Sequence, residues 1–321
     1  MARAFVFPGQ GSQAVGMGRE LAEAFAPARQ VFEEIDEALK QRLSRLIFEG
    51  PEADLRLTEN AQPALMAVSL AVMRTLEQEG GVNLADTAEF VAGHSLGEYS
   101  ALASAGTLEV AEAAQLLRRR GAAMQAAVPV GEGAMAALLG LDLEDAQAVA
   151  EAAAAGEGAG EGAGDICTTA NDNAPGQVVV SGHTSAVERA VALAAERGAR
   201  RSIMLPVSAP FHCSLMAPAA DVMAEALAKV SLQPPQVPVV PNVTAEPTSE
   251  PETLRRLLVE QVTAVVRWRE SVLAMKARGV DTLVEVGSGK VLCGLARRID
   301  RELSAQPVGT PGEVEALLKT L

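Results

Sequence analysis

The stretch FVAGHSLGEYSAL, residues 90–102, restricts the fold of this chain more than any other part of it. An apolar run from Phe90 reads as a strand and the residues after Gly97 read as a helix, so Gly93-His94-Ser95-Leu96-Gly97 must be a tight turn between them. Glycines suit such a turn because neighbouring backbone crowds it, and the amides that follow the serine then point to where an oxyanion would develop. Two readings are open at this point. Ser95 is a nucleophile on an elbow, or it is a small capping residue in a glycine-rich helix start.

The pattern around the turn is α/β. RAFVF reads as a strand, helices follow from about Arg19 and Ala61, then FVAG and another helix, which predicts a parallel sheet covered by helices. From about Val128 the order becomes strand AMAALLGL, helix over 142–155, strands DICTTA and QVVVSG, helix over 184–198 and strand RSIMLPV. This β-α-β-β-α-β order is the ferredoxin-like unit, so residues 128–202 are expected as a small domain inserted into a larger one made of 1–127 and 203–321. The larger unit then resumes with a helix over 217–230, strand VPVVPNV, helices from about Pro251 and Arg267, strand TLVEVG and a helix after Gly289. The Gly/Glu-rich stretch at 156–164 is low-complexity and is expected to be a mobile surface loop.

Charge and cysteine content exclude several classes. A net charge of −14 argues against a nucleic-acid binder, so a polyanionic partner would have to meet a local basic patch. Cys167, Cys213 and Cys293 lie far apart with no C-x-x-C pair, which suggests neither a disulfide framework nor a metal site. The start of the chain lacks a signal-peptide core, and the apolar run ALMAVSLAVM stops at Arg74, so a cytoplasmic protein with no membrane segment is expected.

A serine nucleophile needs a base, and the chain has three histidines. His94 adjoins Ser95 and should leave the turn in another direction, as a structural or substrate-lining group. His183 opens a helix of the small unit and reads as a surface or capping residue. His212, in the proline-punctuated loop LPVSAPFHCSLM, becomes the leading base by elimination. The acid that usually stands behind such a histidine is missing, since Asp142, Asp145, Asp165 and Asp172 all fall in the small unit; a Ser–His dyad oriented by another group is expected.

Helical phase singles out one arginine. In LEVAEAAQLLRRRGAAMQAAV, Val110, Ala113, Leu116, Leu117 and Met124 share an arc, and Arg120 lies near its centre. A guanidinium turned inward is costly unless paired, so Arg120 calls for a carboxylate, either an internal Asp or Glu or an acidic substrate held bidentately. Arg118, Arg119, Arg200 and Arg201 read as solvated face, and also as the positive surface that an acidic partner would meet. At the N-terminus, Gly9-x-Gly11-x-x-Ala14 superficially fits a dinucleotide fingerprint, but the acid it needs is absent and Glu33 and Glu34 lie in a helical pattern. The loop reads better as one whose backbone, with Gln10 or Gln13, approaches a reacting group.

Phe7-Pro8-Gly9-Gln10-Gly11-Ser12-Gln13, Gly93-His94-Ser95-Leu96-Gly97-Glu98-Tyr99, Arg120 and Phe211-His212-Cys213 together resemble the malonyl-CoA:acyl carrier protein transacylase family. NAPGQVVVSG and VEVGSGKVLCGL extend the resemblance over nearly the whole chain. It implies an α/β-hydrolase-like large domain interrupted by the ferredoxin-like one, with the site in the cleft between them. It also implies that Ser95 carries a malonyl ester and His212 is the base, with the amides of Gln10 and Leu96 as oxyanion hole and Arg120 on the malonyl carboxylate. The backbone carbonyl of Gln261 would orient His212, Asn171 matches a further site position, and Phe211 sits where malonyl-selective members carry a bulky ring. His94 and Met124 complete the expected substrate-binding set. Malonyl-CoA and phosphopantetheinyl acyl carrier protein are the implied substrates and partners, no cofactor or metal is expected, and a monomer is the simplest form. A serine thioesterase or carboxylesterase, or a non-catalytic module that holds an acidic protein, remain as alternatives.

Overall fold

In the computed structural model, which describes residues 2–156 and 164–321, the sequence condenses into two sheets that share one cavity. The expectation of a mobile Gly/Glu-rich loop falls, for 157–163, outside the described residues.

The first sheet is wholly parallel. It holds β1 (Arg3–Phe7), β2 (Phe90–Gly93), β7 (Val239–Val240), β8 (Thr282–Val286) and β9 (Ser304–Val308), in the order β7-β2-β1-β8-β9. Ala4, Phe5, Val6 and Phe7 are all fully buried, as a central strand covered on both faces requires. Side chains alternate between the faces. Phe5 and Phe7 join a core with the helices Thr58–Gln78 and Val110–Ala127, whereas Ala4 and Val6 join a second core with Trp268–Ala277 and Val291–Ile299.

The second sheet is antiparallel. β3 (Gly133–Leu139), β4 (Cys167–Ala174), β5 (Gln177–His183) and β6 (Arg201–Met204) lie in the order β4-β5-β3-β6. Ala136, Leu138, Val178 and Val180 face the helices Leu143–Ala154 and Thr184–Glu196, while Met135, Ala137 and Val179 turn into the large core. The division expected after residue 202 falls inside β6, whose pairing with β3 runs to Met204.

β4 is stitched to the first layer. Asp172 N–H donates to Val266 O at 3.0 Å and Val266 N–H donates to Ala170 O at 2.9 Å. The Asp172 carboxylate, almost fully buried, is gripped by Arg269 of Trp268–Ala277, with Nε 2.9 Å from Oδ2.

Proline explains where strand lengths depart from the sequence pattern. Pro238 and Pro241 bracket β7 and hold it to two residues, because proline has no N–H for a ladder. β9, SAQPV, was not legible as a strand, since it is polar, half-buried and contains Pro307; the sheet edge tolerates this. The closing helix Pro311–Leu318 also went unread.

The loops after β1, β2 and β7 leave the first sheet at its carboxyl end, and there β2 turns into the helix Gly97–Ser104. The turn has no spare volume. A Cβ on Gly93 would stand 1.9 Å from the carbonyl of Gly97, and one on Gly97 would stand 2.3 Å from the carbonyl oxygen of Phe7 on β1. Gly93→Ala should therefore destabilise the protein by at least about 1–3 kcal/mol, the ordinary cost of overpacking. Gly294→Ala, on the helix Val291–Ile299 where an added Cβ meets nothing, should be neutral or stabilising by about 0.5–1 kcal/mol. Denaturant melts of the two variants would show opposite signs; equal effects would mean that the turn is not tight.

Candidate active site

Ser95 stands at the tip of this turn in the left-handed region, at φ 53°. That conformation is costly for a residue with a side chain and needs outside support. Asn242, fully buried just beyond β7, supplies it from both sides. Ser95 N–H donates to Asn242 Oδ1 at 2.7 Å, and Asn242 Nδ2 donates to Gly93 O at 2.6 Å.

Ser95 Oγ lies 2.8 Å from His212 Nε2. His212 also sits in the left-handed region, at φ 58°, in the loop before the helix Ala217–Leu227. Its Nδ1–H donates to the main-chain oxygen of Gln261 at 2.9 Å, so Nε2 is left as the acceptor of the serine proton. A carbonyl therefore stands where a triad would place a carboxylate. Burial, with the nearby Arg120 charge, pushes His212 down to about 3, so the imidazole is neutral and its Nε2 is able to accept a proton.

Arg120 is 1% exposed. Its Nη1 donates to Gln62 Oε1 at 2.8 Å, and its Nη2 donates to Gln261 Oε1 at 2.9 Å and to Ser95 Oγ at 3.2 Å. Among the described residues no carboxylate forms an ion pair with it, so the internal Asp or Glu is not what it meets. The two amide oxygens accept from Nη1 and Nη2 without neutralising the charge. Its Nε has no partner among the described residues, and the guanidinium carbon lies 5.8 Å from the centroid of the Tyr99 ring.

These groups open onto a cavity of about 310 Å³. Gln10 and Leu96 line it beside Ser95, and neither main-chain N–H has an acceptor among the described residues, which suits an oxyanion hole. Met124, Phe211 and Asn171 are in the wall, so the expected substrate-binding residues come together here. Gln261 stands behind the wall and acts through its contacts. His94 also lines the cavity, and its ring is held from the second sheet side: its Nε2 is 2.8 Å from Asn173 Oδ1 and its ring lies 5.6 Å from that of Trp268. Burial lowers its pKa, so it is neutral and donates to Asn173. His183 lies on β5 in the second sheet, with Nδ1 accepting from Ile166 N–H at 2.8 Å.

One reading of the basic residues needs correction. Arg118 is not freely solvated, because its guanidinium is tied to Glu59 O and Asn60 Oδ1. Sequence reasoning also missed four site groups: Gln62, Asn173, Asn242 and Glu98. Glu98 is fully buried, and its Oε2 accepts from Asn242 N–H at 2.9 Å and from Gln261 Nε2 at 2.8 Å. Burial pushes its carboxyl up to about 7. Among the described residues no three His, Cys, Asp or Glu side chains cluster as a metal site would need.

The geometry fixes a measurable state of the base. Long-range proton–nitrogen NMR of the free protein should show His212 as the neutral Nδ1–H tautomer down to about pH 5, well below the ordinary histidine midpoint of about 6.5. A midpoint near the ordinary value, or the opposite tautomer, would contradict the bond to Gln261 and the burial.

The model of the acyl transferase domain family matches residues 4–302. The chain is 45% identical over 318 residues to the malonyl CoA-acyl carrier protein transacylase of Bacillus subtilis (strain 168), covering 99% of this chain and 96% of that one. The crystal structure of acyl-carrier-protein-S-malonyltransferase from Bartonella henselae superimposes with a TM-score of 0.95 at 55% identity, over 100% of this chain and 99% of the other. A malonyl-transacylase in complex with its type II PKS acyl-carrier protein matches with a TM-score of 0.94 at 41% identity, over 100% of each chain. With relatives that match end to end, and a serine at a strand–helix turn facing a carbonyl-held histidine in one cavity, this chain belongs to the acyl transferase domain family, among the malonyl CoA-acyl carrier protein transacylases.

Proposed function

We propose that the chain moves a malonyl group from malonyl-CoA to the phosphopantetheine thiol of an acyl carrier protein by a ping-pong route through a malonyl ester on Ser95, supplying fatty acid synthesis. The observation that carries this is Arg120, a buried cation hydrogen-bonded to the nucleophile and lacking a carboxylate. A malonyl group brings the missing carboxylate on the acyl chain itself.

In the first half-reaction Ser95 Oγ attacks the thioester carbon while His212 Nε2 takes its proton. The amides of Gln10 and Leu96 receive the oxyanion, the C–S bond breaks, and the CoA sulfur leaves with the proton from His212. In the second, the carrier thiol gives its proton to His212 and attacks the ester; Ser95 Oγ leaves and recovers the proton. No cofactor or metal has a step in it. Arg120 also couples binding to chemistry. Its charge, with burial, lowers the basicity of His212, and an acyl carboxylate beside Arg120 offsets that charge as the base is needed. Phe211, beside His212 in the wall, narrows the space for an α-substituent and favours malonyl over methylmalonyl.

The first sheet with its elbow fits an α/β-hydrolase-like domain made of 1–127 and 203–321. The second, with its β4-β5-β3-β6 order, fits a ferredoxin-like insertion over 128–202 that β6 completes to Met204. Exposed Arg119, Arg200 and Arg201 are available to an acidic carrier. We place the reaction in the cytoplasm, with the chain as a monomer.

Intact-protein mass spectrometry after addition of malonyl-CoA should show a malonyl adduct that requires Ser95 and passes to holo acyl carrier protein when that is added. An adduct on Ser95→Ala would move the nucleophile elsewhere, and decay to malonate irrespective of carrier would make the protein a hydrolase. Arg120→Ala should lower malonyl transfer about 10- to 150-fold, from a charge-assisted bond worth about 1.5–3 kcal/mol, and leave acetyl transfer much less affected. Parallel rate measurements with malonyl-CoA and acetyl-CoA test this, and an unchanged malonyl preference would reject the role of Arg120.

A further inference from the structure

The mechanism above uses Ser95, His212 and Arg120 but leaves a fully buried carboxylate beneath them without a task. Glu98 follows the elbow on the helix Gly97–Ser104, and one of its oxygens, Oε2, accepts two hydrogen bonds from two different segments. One donor is the main-chain N–H of Asn242, whose side chain bridges the elbow from Ser95 N–H to Gly93 O. The other is Nε2 of Gln261, whose main-chain oxygen holds His212 Nδ1 and whose Oε1 accepts from Arg120. Gln261 Nε2 further contacts Ser95 O at 3.1 Å and Asn242 Oδ1 at 3.3 Å.

Nucleophile, base and acyl-carboxylate cation thus have their supports tied at a single oxygen. We infer that Glu98 is a positioning residue, which through Asn242 and Gln261 holds Ser95 and His212 at reacting distance and orientation. This rests on the proposed roles of Ser95 and His212. The two supports come from separate parts of the chain, after β7 and after the helix Pro251–Glu260, and among the described residues only Glu98 receives a hydrogen bond from both the main chain of one and the side chain of the other. Among the described residues the second oxygen, Oε1, has no hydrogen-bond partner, so an amide in place of the carboxyl can keep both accepted bonds through its oxygen while losing the charge and leaving its NH2 unpartnered.

That asymmetry supplies the test. The rate constant for malonylation of Ser95, KM for malonyl-CoA and the thermal midpoint are measured for Glu98→Ala, Glu98→Gln, Asn242→Asp and Ser95→Ala. Glu98→Ala should lower the acylation rate constant about 10- to 100-fold with KM within about twofold, as expected when reacting groups drift from alignment while substrate contacts persist. Glu98→Gln should recover most of that loss. Asn242→Asp keeps an acceptor for Ser95 N–H but sets an oxygen against Gly93 O, and should lose rate to a similar extent. Should Glu98→Ala not fold, Asn242→Asp and Glu98→Gln decide between them.

A normal acylation rate in folded Glu98→Ala, or in Asn242→Asp, whatever their melting points, would overturn the inference in favour of a purely structural role. Glu98→Gln as slow as Glu98→Ala would overturn it in favour of charge. An adduct on Ser95→Ala would instead remove the functional reading, and this inference with it.

Discussion

Every functional distance in this protein depends on a turn with no free volume. β2 must reverse into the helix Gly97–Ser104 against β1, and any side chain on Gly93 or Gly97 would collide with main chain. The serine between them is forced to a positive φ, which turns its Oγ out of the sheet toward the cavity and costs about 1–3 kcal/mol. Such a conformation persists only where its surroundings over-determine it. Here they do so from below, through the Asn242 bridge, and from the side, through Gln261 Nε2 on the serine carbonyl. His212 is held at positive φ in the same manner, with its ring fixed by one carbonyl. Two strained residues facing each other at 2.8 Å are therefore a property of the scaffold, and neither strand nor loop propensity would select that pairing.

The electrostatics follow from the same packing. Burial alone would expel the charge from Arg120, depress His212 and neutralise Glu98. Neutral amides from Gln62, Asn242 and Gln261 separate these groups instead of direct ion pairs. On the proposed role of Arg120, an internal Arg120–carboxylate pair would have to break before an acyl carboxylate could bind. Amide oxygens accept from Nη1 and Nη2 while leaving the cation without a counter-charge beside it. The same choice accounts for the carbonyl behind His212. A carboxylate there would sit close to Arg120 and quench it, whereas a carbonyl fixes the tautomer without adding charge.

These features differ in how clearly the chain displays them. The elbow is legible because its requirement is local: glycines, a strand before, a helix after. Arg120 is legible because one cation on an apolar helical arc breaks a periodic pattern, and His212 because so few histidines compete. The alternation of elements likewise exposes the parallel sheet and the separate run of strands that forms the antiparallel one. Asn242, Asn173 and Gln62 leave no such mark, since an amide in a strand end or helix looks the same whether it faces water or a buried network. Glu98 sits in the quoted motif, yet nothing in its spacing says that it points inward beneath the serine. Arg118 misleads for the converse reason: outside the apolar arc, it finds partners on the neighbouring helix that helical phase cannot show. β9 is hidden by its proline and polar composition, which only an edge position permits.

The antiparallel sheet is more than a lid placed over this machinery. The segment 261–269 begins at the carbonyl that holds His212, pairs through Val266 with β4, packs Trp268 against His94, and ends at Arg269 on the buried carboxylate of Asp172. β4 in return carries Asn171 into the cavity wall and Asn173 to the ring of His94, directly before the nucleophile. Pulling the two layers apart would thus draw on the base and the elbow together. A cleft built in this way should keep its shape, because the groups that line it are held by both layers at once.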